Sequence, residues 1–156
     1  MTVTCRPALP NDELFLRSLI KGTVSAELGA EFWPESLRTH LLAIQYDSRR
    51  QSIGTAFPRA ADQIVLADGE SIGWFVVDES AGEIRMVELM LVPAWRGRGA
   101  GTILIRQVLA RGCVAGKPVR LSVVPSNAGA IRLYQRLGFQ STGGDESRLH
   151  MQAGSA

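Results

Sequence analysis

The chain has 156 residues, 46% of them hydrophobic and 21% charged, with a formal net charge of +2. This length suits one domain, residues 1–156, with one sizeable core, and the composition excludes wholesale disorder. So small a net charge also excludes a field strong enough to recruit nucleic acid, and any basic function must come from local clustering.

Cys5 and Cys113 are the only cysteines, without metal-type spacing or a histidine cluster, so neither a metal site nor a disulfide framework is expected. "MTVTCRPALPND" lacks an apolar run of signal-peptide length, and no segment approaches the roughly 20 apolar residues that span a membrane. A soluble, cytoplasmic protein with no membrane partner is expected.

In chain order, "TVTCRPAL" reads as a short β-branched strand stopped by Pro10. Asn11 or Asp12 then caps a helix over "NDELFLRSLIKGTVSAEL", with Leu14, Phe15, Leu19 and Ile20 at helical spacing. "PESLRTHLLAIQYDSRRQSI" predicts a second helix, Pro34 its first residue and Leu37, Leu41 and Ile44 on one face. Its His40, Tyr46 and Arg49 either face an acceptor or form a solvated surface. Between the helices, Phe32 and Trp33 are expected to pack over the core rather than line a pocket.

"DQIVLADGESIGWFVVD" is two apolar runs joined by Asp68-Gly69, a hairpin signal, and "EIRMVELMLV" predicts a third antiparallel strand. "TILIRQVLARGCVAG" has helical periodicity through Ile103, Leu104, Val108 and Leu109 and ends at Gly116. "PVRLSVVP" is a strand closed by Pro125, "NAGAIRLYQRLG" a helix capped by Asn127, and "FQSTGGDESRLHMQ" a hairpin broken at Gly143-Gly144. The helix between strands 84–91 and 119–124 is a βαβ crossover, which makes them parallel neighbours or near neighbours. The fold class is therefore α/β or α+β, a sheet with helices on its faces.

The stretch "PAWRGRGAGT" between a strand and a helix needs more than a turn to explain it. The first N–H groups of a helix have no internal acceptor, and glycines let them converge on an anion without Cβ contacts. Arg96 and Arg98 add charge, so the segment suits a pyrophosphate. A nucleotide P-loop needs a lysine that Ala100-Gly101-Thr102 lacks, and the dinucleotide fingerprint needs wider glycine spacing and an acidic residue after the next strand. Arg-x-x-Gly-x-Gly, here Arg96, Gly99 and Gly101, fits.

That pattern resembles the Gcn5-related N-acetyltransferase (GNAT) family, and a second signature fits at Asn127, Ala130, Leu133, Tyr134, Gly138 and Phe139. The resemblance covers nearly the whole chain and is nearest to small bacterial members with "WPE" in the first connection. It implies a single N-acetyltransferase domain: a mixed, mostly antiparallel sheet of six to seven strands, helices on both faces and a splayed parallel pair. It implies acetyl-CoA as cosubstrate, with the pyrophosphate on Arg96, Gly97, Arg98, Gly99, Ala100, Gly101 and Thr102. Leu89, Met90 and Leu91 would pair with the pantetheine arm, one of their N–H groups polarising the thioester, and Asn127 and Tyr134 would also contact the cosubstrate.

The resemblance also makes Tyr134 the general acid in a direct transfer to an amine. Glu88, a lone carboxylate in "MVELML", is the candidate base, since burial would raise its pKa. Strand alternation puts Glu88 on a face with Met86 and Met90, unless a β-bulge changes the phase. Arg85 could pair with Glu88 instead, or contact an acidic substrate. A water is the other candidate base, and the acceptor, a small-molecule or peptide amine, is not named by any motif. A transferase of longer acyl groups and a non-catalytic acyl-CoA-binding sensor remain as other readings. Dimers are common in such families, so the resemblance leaves room for a homodimer.

Overall fold

The computed structural model describes residues 1–154. Strands β1 (Val3–Pro7), β2 (Ala61–Ala67), β3 (Glu70–Glu79), β4 (Ile84–Leu91), β5 (Val119–Val123), β6 (Gln140–Gly144) and β7 (Leu149–Ala153) form one seven-stranded sheet. Its order is β1-β2-β3-β4-β5-β7-β6. The pair β4–β5 is parallel and the others are antiparallel, which is the mixed, mostly antiparallel sheet expected. The hairpin at Asp68-Gly69 forms with both residues at positive φ, 50° and 86°, the backbone that a two-residue turn of matching twist requires.

Helices α1 (Glu13–Leu28) and α2 (Glu35–Ala56) cover one face of the sheet, and α3 (Ala100–Ala115) and α4 (Ala128–Arg136) the other. Under α1 and α2 lies a core of Leu16, Ile20, Val24, Ile64, Trp74 and Met90; under α3 and α4 lies one of Val65, Phe75, Ile84, Leu104, Ile105 and Leu121. Trp74 is fully buried, and its Nε1–H donates to Asp62 Oδ1 at 2.6 Å, so its polar atom is satisfied.

In α1 the expected Leu19 and Ile20 turn inward and Phe15 packs beside them, whereas Leu14 does not; in α2 the inward stripe is a different one. In α1 the buried set is Leu16, Leu19, Ile20 and Val24, while Leu14 is 81% exposed. In α2 the inward residues are Leu42 and Tyr46, and Leu37 and Ile44 face solvent. The sequence of α2 carries two stripes at helical spacing, and Tyr46 decides between them: its ring is buried while its hydroxyl donates to Glu13 Oε2 at 3.1 Å. Phe32 is 87% exposed rather than packed on the core, because a 3-10 turn over Ala30–Phe32 buries Ala30 instead. Pro34 is the N-cap of α2 and not its first residue.

Two departures from regularity shape the centre of the sheet. β4 and β5 pair only where Ile84–Met86 meet Val119–Leu121, and beyond that both strands continue without each other. The register of β3 on β4 also slips, with Val77 opposite Met86 and Val76 opposite Glu88, so Val87 is an extra, bulged residue. A glycine lets β3 and β4 close tightly past this point, for a Cβ on Gly73 would run into the Met90 carbonyl and the Leu91 side chain. In the C-terminal hairpin the turn is built by Asp145, which accepts from Ser147 and Arg148, and Gly143 and Gly144 lie within β6 at a register shift.

Candidate active site

The bulge settles which face Glu88 serves. Ile84 and Met86 point into the core under α3, whereas Val87 and Met90 contact the core under α1 and α2. Glu88 lies opposite Val76, a member of that second core, so it shares a face with Met90 but not with Met86. There it meets Arg49 of α2, whose Nη1 lies 3.5 Å from Glu88 Oε2 and whose Nη2 lies 4.0 Å from Glu27 Oε2 of α1. Arg85 pairs with Glu83 at 2.9 Å, which leaves Glu88 to Arg49.

Burial pushes the Glu88 carboxyl above its ordinary pKa; Arg49 pulls against this, Glu27 adds to it, and Arg148 and the Leu89 N–H pull it down further. About a fifth of the side chain, 22%, stays exposed, so the group is sheltered and still reachable. On the other face of the sheet, Tyr134 projects from α4 against Phe139, with ring centroids 5.7 Å apart. Burial raises the Tyr134 phenol above its ordinary value, and the charge of Glu88 raises it further. The two groups thus lie within electrostatic reach of one another.

The backbone along this opening is not consumed by the sheet. The Val92 N–H donates to the Ile72 carbonyl at 2.8 Å, so alternate residues Met90 and Glu88 face β3 while Leu89 and Leu91 turn their amide groups toward the β5 side. The Leu91 carbonyl accepts from Arg96 Nε at 3.0 Å, and Arg96 Nη2 reaches Thr23 Oγ1 of α1 at 3.4 Å. Arg96 therefore braces the loop against β4 and α1. Arg98 lies over the Trp95 ring, 4.0 Å from its centroid.

Helix α3 begins at Ala100, two residues before the expected start, with Gly99 as N-cap at φ 90° and Gly97 at φ 72°. Ala100, Gly101 and Thr102 consequently belong to its first turn. Among the described residues, the N–H groups of Gly97 through Thr102 find no hydrogen-bond acceptor, and Gly99 has no side chain to cap with. Such donors, at the positive end of a helix dipole, attract negative charge. Asn127 caps α4 as expected, its Oδ1 accepting from Ala130 N–H at 3.2 Å.

Sequence reasoning missed how Arg49 and Glu27 enter the site, and it missed Ser122 and His150 altogether. Ser122 Oγ and His150 Nδ1 lie 2.7 Å apart, on strands 28 residues distant in sequence, and no local pattern announces such a pair. Among the described residues, no cluster of three or more histidine, cysteine or acidic side chains is placed to hold a metal, and no helix is long and apolar enough to cross a membrane.

Residues 26–139 match the profile of the acetyltransferase (GNAT) family. PaiA N-acetyltransferase from Thermoplasma acidophilum, in complex with coenzyme A, is similar with a TM-score of 0.74 at 18% identity, over 99% of this chain and 100% of that one. Ard1 from Thermoplasma volcanium gives 0.64 at 21% identity, over 100% and 99%. A GNAT family acetyltransferase from Elizabethkingia anophelis with acetyl-CoA bound gives 0.59 at 13%, over 98% of each. Among curated proteins, no relative matches. Because the profile runs through the glycine loop and on to Phe139, the match rests on neither motif alone: the chain belongs to the GNAT acetyltransferase family and is an acyltransferase.

Proposed function

We propose that the protein transfers the acetyl group of acetyl-CoA to a primary amine, on a small molecule or a peptide, by direct attack. The observation that carries this reading is the parting of β4 from β5 beside a run of unpaired N–H groups. Those groups, Gly97 through Thr102, would hold the pyrophosphate, and the exposed Arg98 would add positive charge. The amide groups of Leu89 and Leu91, spaced by Met90, would bind the pantetheine arm as a strand binds its neighbour. Asn127 would offer its side-chain NH2, its oxygen being engaged in the cap.

When bound, acetyl-CoA supplies an activated acyl carbon. An N–H of the Leu89–Leu91 segment polarises the carbonyl, as an oxyanion hole does. Glu88, or a water it orients, accepts the proton that an ammonium loses to become the attacking amine. Tyr134, protonated at neutral pH as an ordinary phenol is and held more firmly so by burial, gives that proton to the departing sulfur. The C–N bond forms as the C–S bond breaks, and the products are an amide and a thiol.

The Arg49–Glu88 ion pair favours a second reading, a non-catalytic acyl-CoA sensor, since a paired carboxylate is a weaker base. Following CoA release against amines, polyamines, amino acids and peptides separates the two. Turnover on one acceptor class is the expected result; tight acetyl-CoA binding with no turnover on any of them would leave the sensor. Tyr134→Phe should lower kcat about 100-fold while sparing acetyl-CoA affinity, and unchanged turnover would remove Tyr134 from the acid role.

A further inference from the structure

In β5, Val119, Leu121 and Val123 point into the core under α3, so Arg120 and Ser122 point to the opposite face, the one that Glu88 serves. His150 lies opposite Ser122 on β7 and shares that face, with Met151 and Ala153 turned the other way. Leu121 is the last β5 residue paired with β4, and Met86 is its partner. Ser122 is thus the first β5 residue at the opening, just as Glu88 is the first β4 residue beyond the bulge. The two strands bring a carboxylate and a hydroxyl–imidazole pair to opposite lips of one gap, on one face.

We propose that Ser122 and His150 form a proton relay on the acceptor side of the gap, taking the proton that the amine releases. The inference rests on the transferase reading given above. In the His150 tautomer that carries its proton on Nε2, the Ser122 hydroxyl donates to Nδ1 across the 2.7 Å contact and its oxygen is left to accept. As the amine nitrogen bonds to the acyl carbon, its proton passes to Ser122 Oγ while the Ser122 proton moves to Nδ1. The imidazolium then gives its proton to solvent, and Tyr134 supplies the proton that the sulfur needs.

The surroundings suit this task. His150 is exposed, so it exchanges protons with water. Around it stand Arg120, held by Gln152 and Glu83, with Arg148 and Asp145 in the turn that precedes its strand; Asp145 has its pKa lowered first by its hydrogen bonds from Ser147 and Arg148 and last by His150. On the same face, on β4 at the other side of the gap, is Glu88, paired with Arg49 of α2. Ser122 has the imidazole as its one side-chain partner among the described residues.

The test begins with wild-type CoA release on a responsive amine. His150→Ala and Ser122→Ala are then compared for kcat, for acetyl-CoA affinity and for thermal unfolding, and His150→Ala is assayed with added free imidazole. The relay predicts kcat lowered about 100-fold in His150→Ala and about tenfold in Ser122→Ala. It also predicts unchanged acetyl-CoA affinity and melting, and partial rescue by imidazole. Full turnover in both variants, or a loss that imidazole does not restore, overturns the relay while leaving the transferase intact. A wild type that binds acetyl-CoA and turns over no amine overturns both.

Discussion

The ionisation of Glu88 is decided by two opposed forces, burial that favours the acid and Arg49 that favours the carboxylate. A base must be deprotonated to work, so activity should rise with pH through a limb displaced above the ordinary carboxylate range. Removing Arg49 takes away the main force lowering that pKa, and Arg49→Met should shift the limb further upward in a pH–rate profile. A limb that stays put would show that Glu88 does not govern it. Arg49 was visible in the sequence as one polar residue among several on a helix. Its role came into view only through a side-chain ion pair to a strand 39 positions on.

At the scale of elements, β4 carries the site because it is bound firmly on one edge and free on the other. Its hold on β3 depends on the close approach at Gly73. Gly73→Ala should therefore cost about 1–3 kcal/mol through overpacking and displace Leu89–Leu91 enough to weaken acetyl-CoA binding. Urea unfolding and a binding titration measure the two effects, and a variant of wild-type stability would contradict the packing argument. The glycine loop was legible from spacing alone, because positive φ at Gly97 and Gly99 is a local demand. The start of α3 at Ala100 was less so, since the expected boundary followed apolar periodicity and not the capping glycine.

For the molecule as a whole, the N-terminal segment is tied down by a buried acid. Asp12 receives a bidentate pair from Arg6, at 2.7 and 2.8 Å, and the Leu9 N–H at 2.8 Å, which fastens β1 to the start of α1. The Arg6 bonds, and then the Leu9 N–H, lower the Asp12 pKa from 3.8 to about 2. Its folded pKa is depressed, so its stabilisation is present above 3.8, begins to fade below it and is lost as pH falls through about 2. Melting temperature should fall over that window in the wild type and fall less in Asp12→Asn, which should already be less stable at pH 6. Parallel pH dependence in the two proteins would show that Asp12 is not the group responsible.

The sequence by itself determined the order of elements, the hairpin at Asp68-Gly69, the parallel crossover and the glycine loop before α3. Each of these follows from turn chemistry, periodicity or connection length within a few residues. The tertiary structure decided which stripe of α2 turns inward, since its two apolar stripes at helical spacing are equivalent until Tyr46 finds Glu13. It decided the face of Glu88 too, because one bulged residue inverts strand alternation and only the register with β3 reveals it. The lips of the gap, with Glu88 and Arg49 on one side and Ser122 and His150 on the other, come from segments far apart in the chain. They share one gap only once the sheet has closed on one edge and parted on the other.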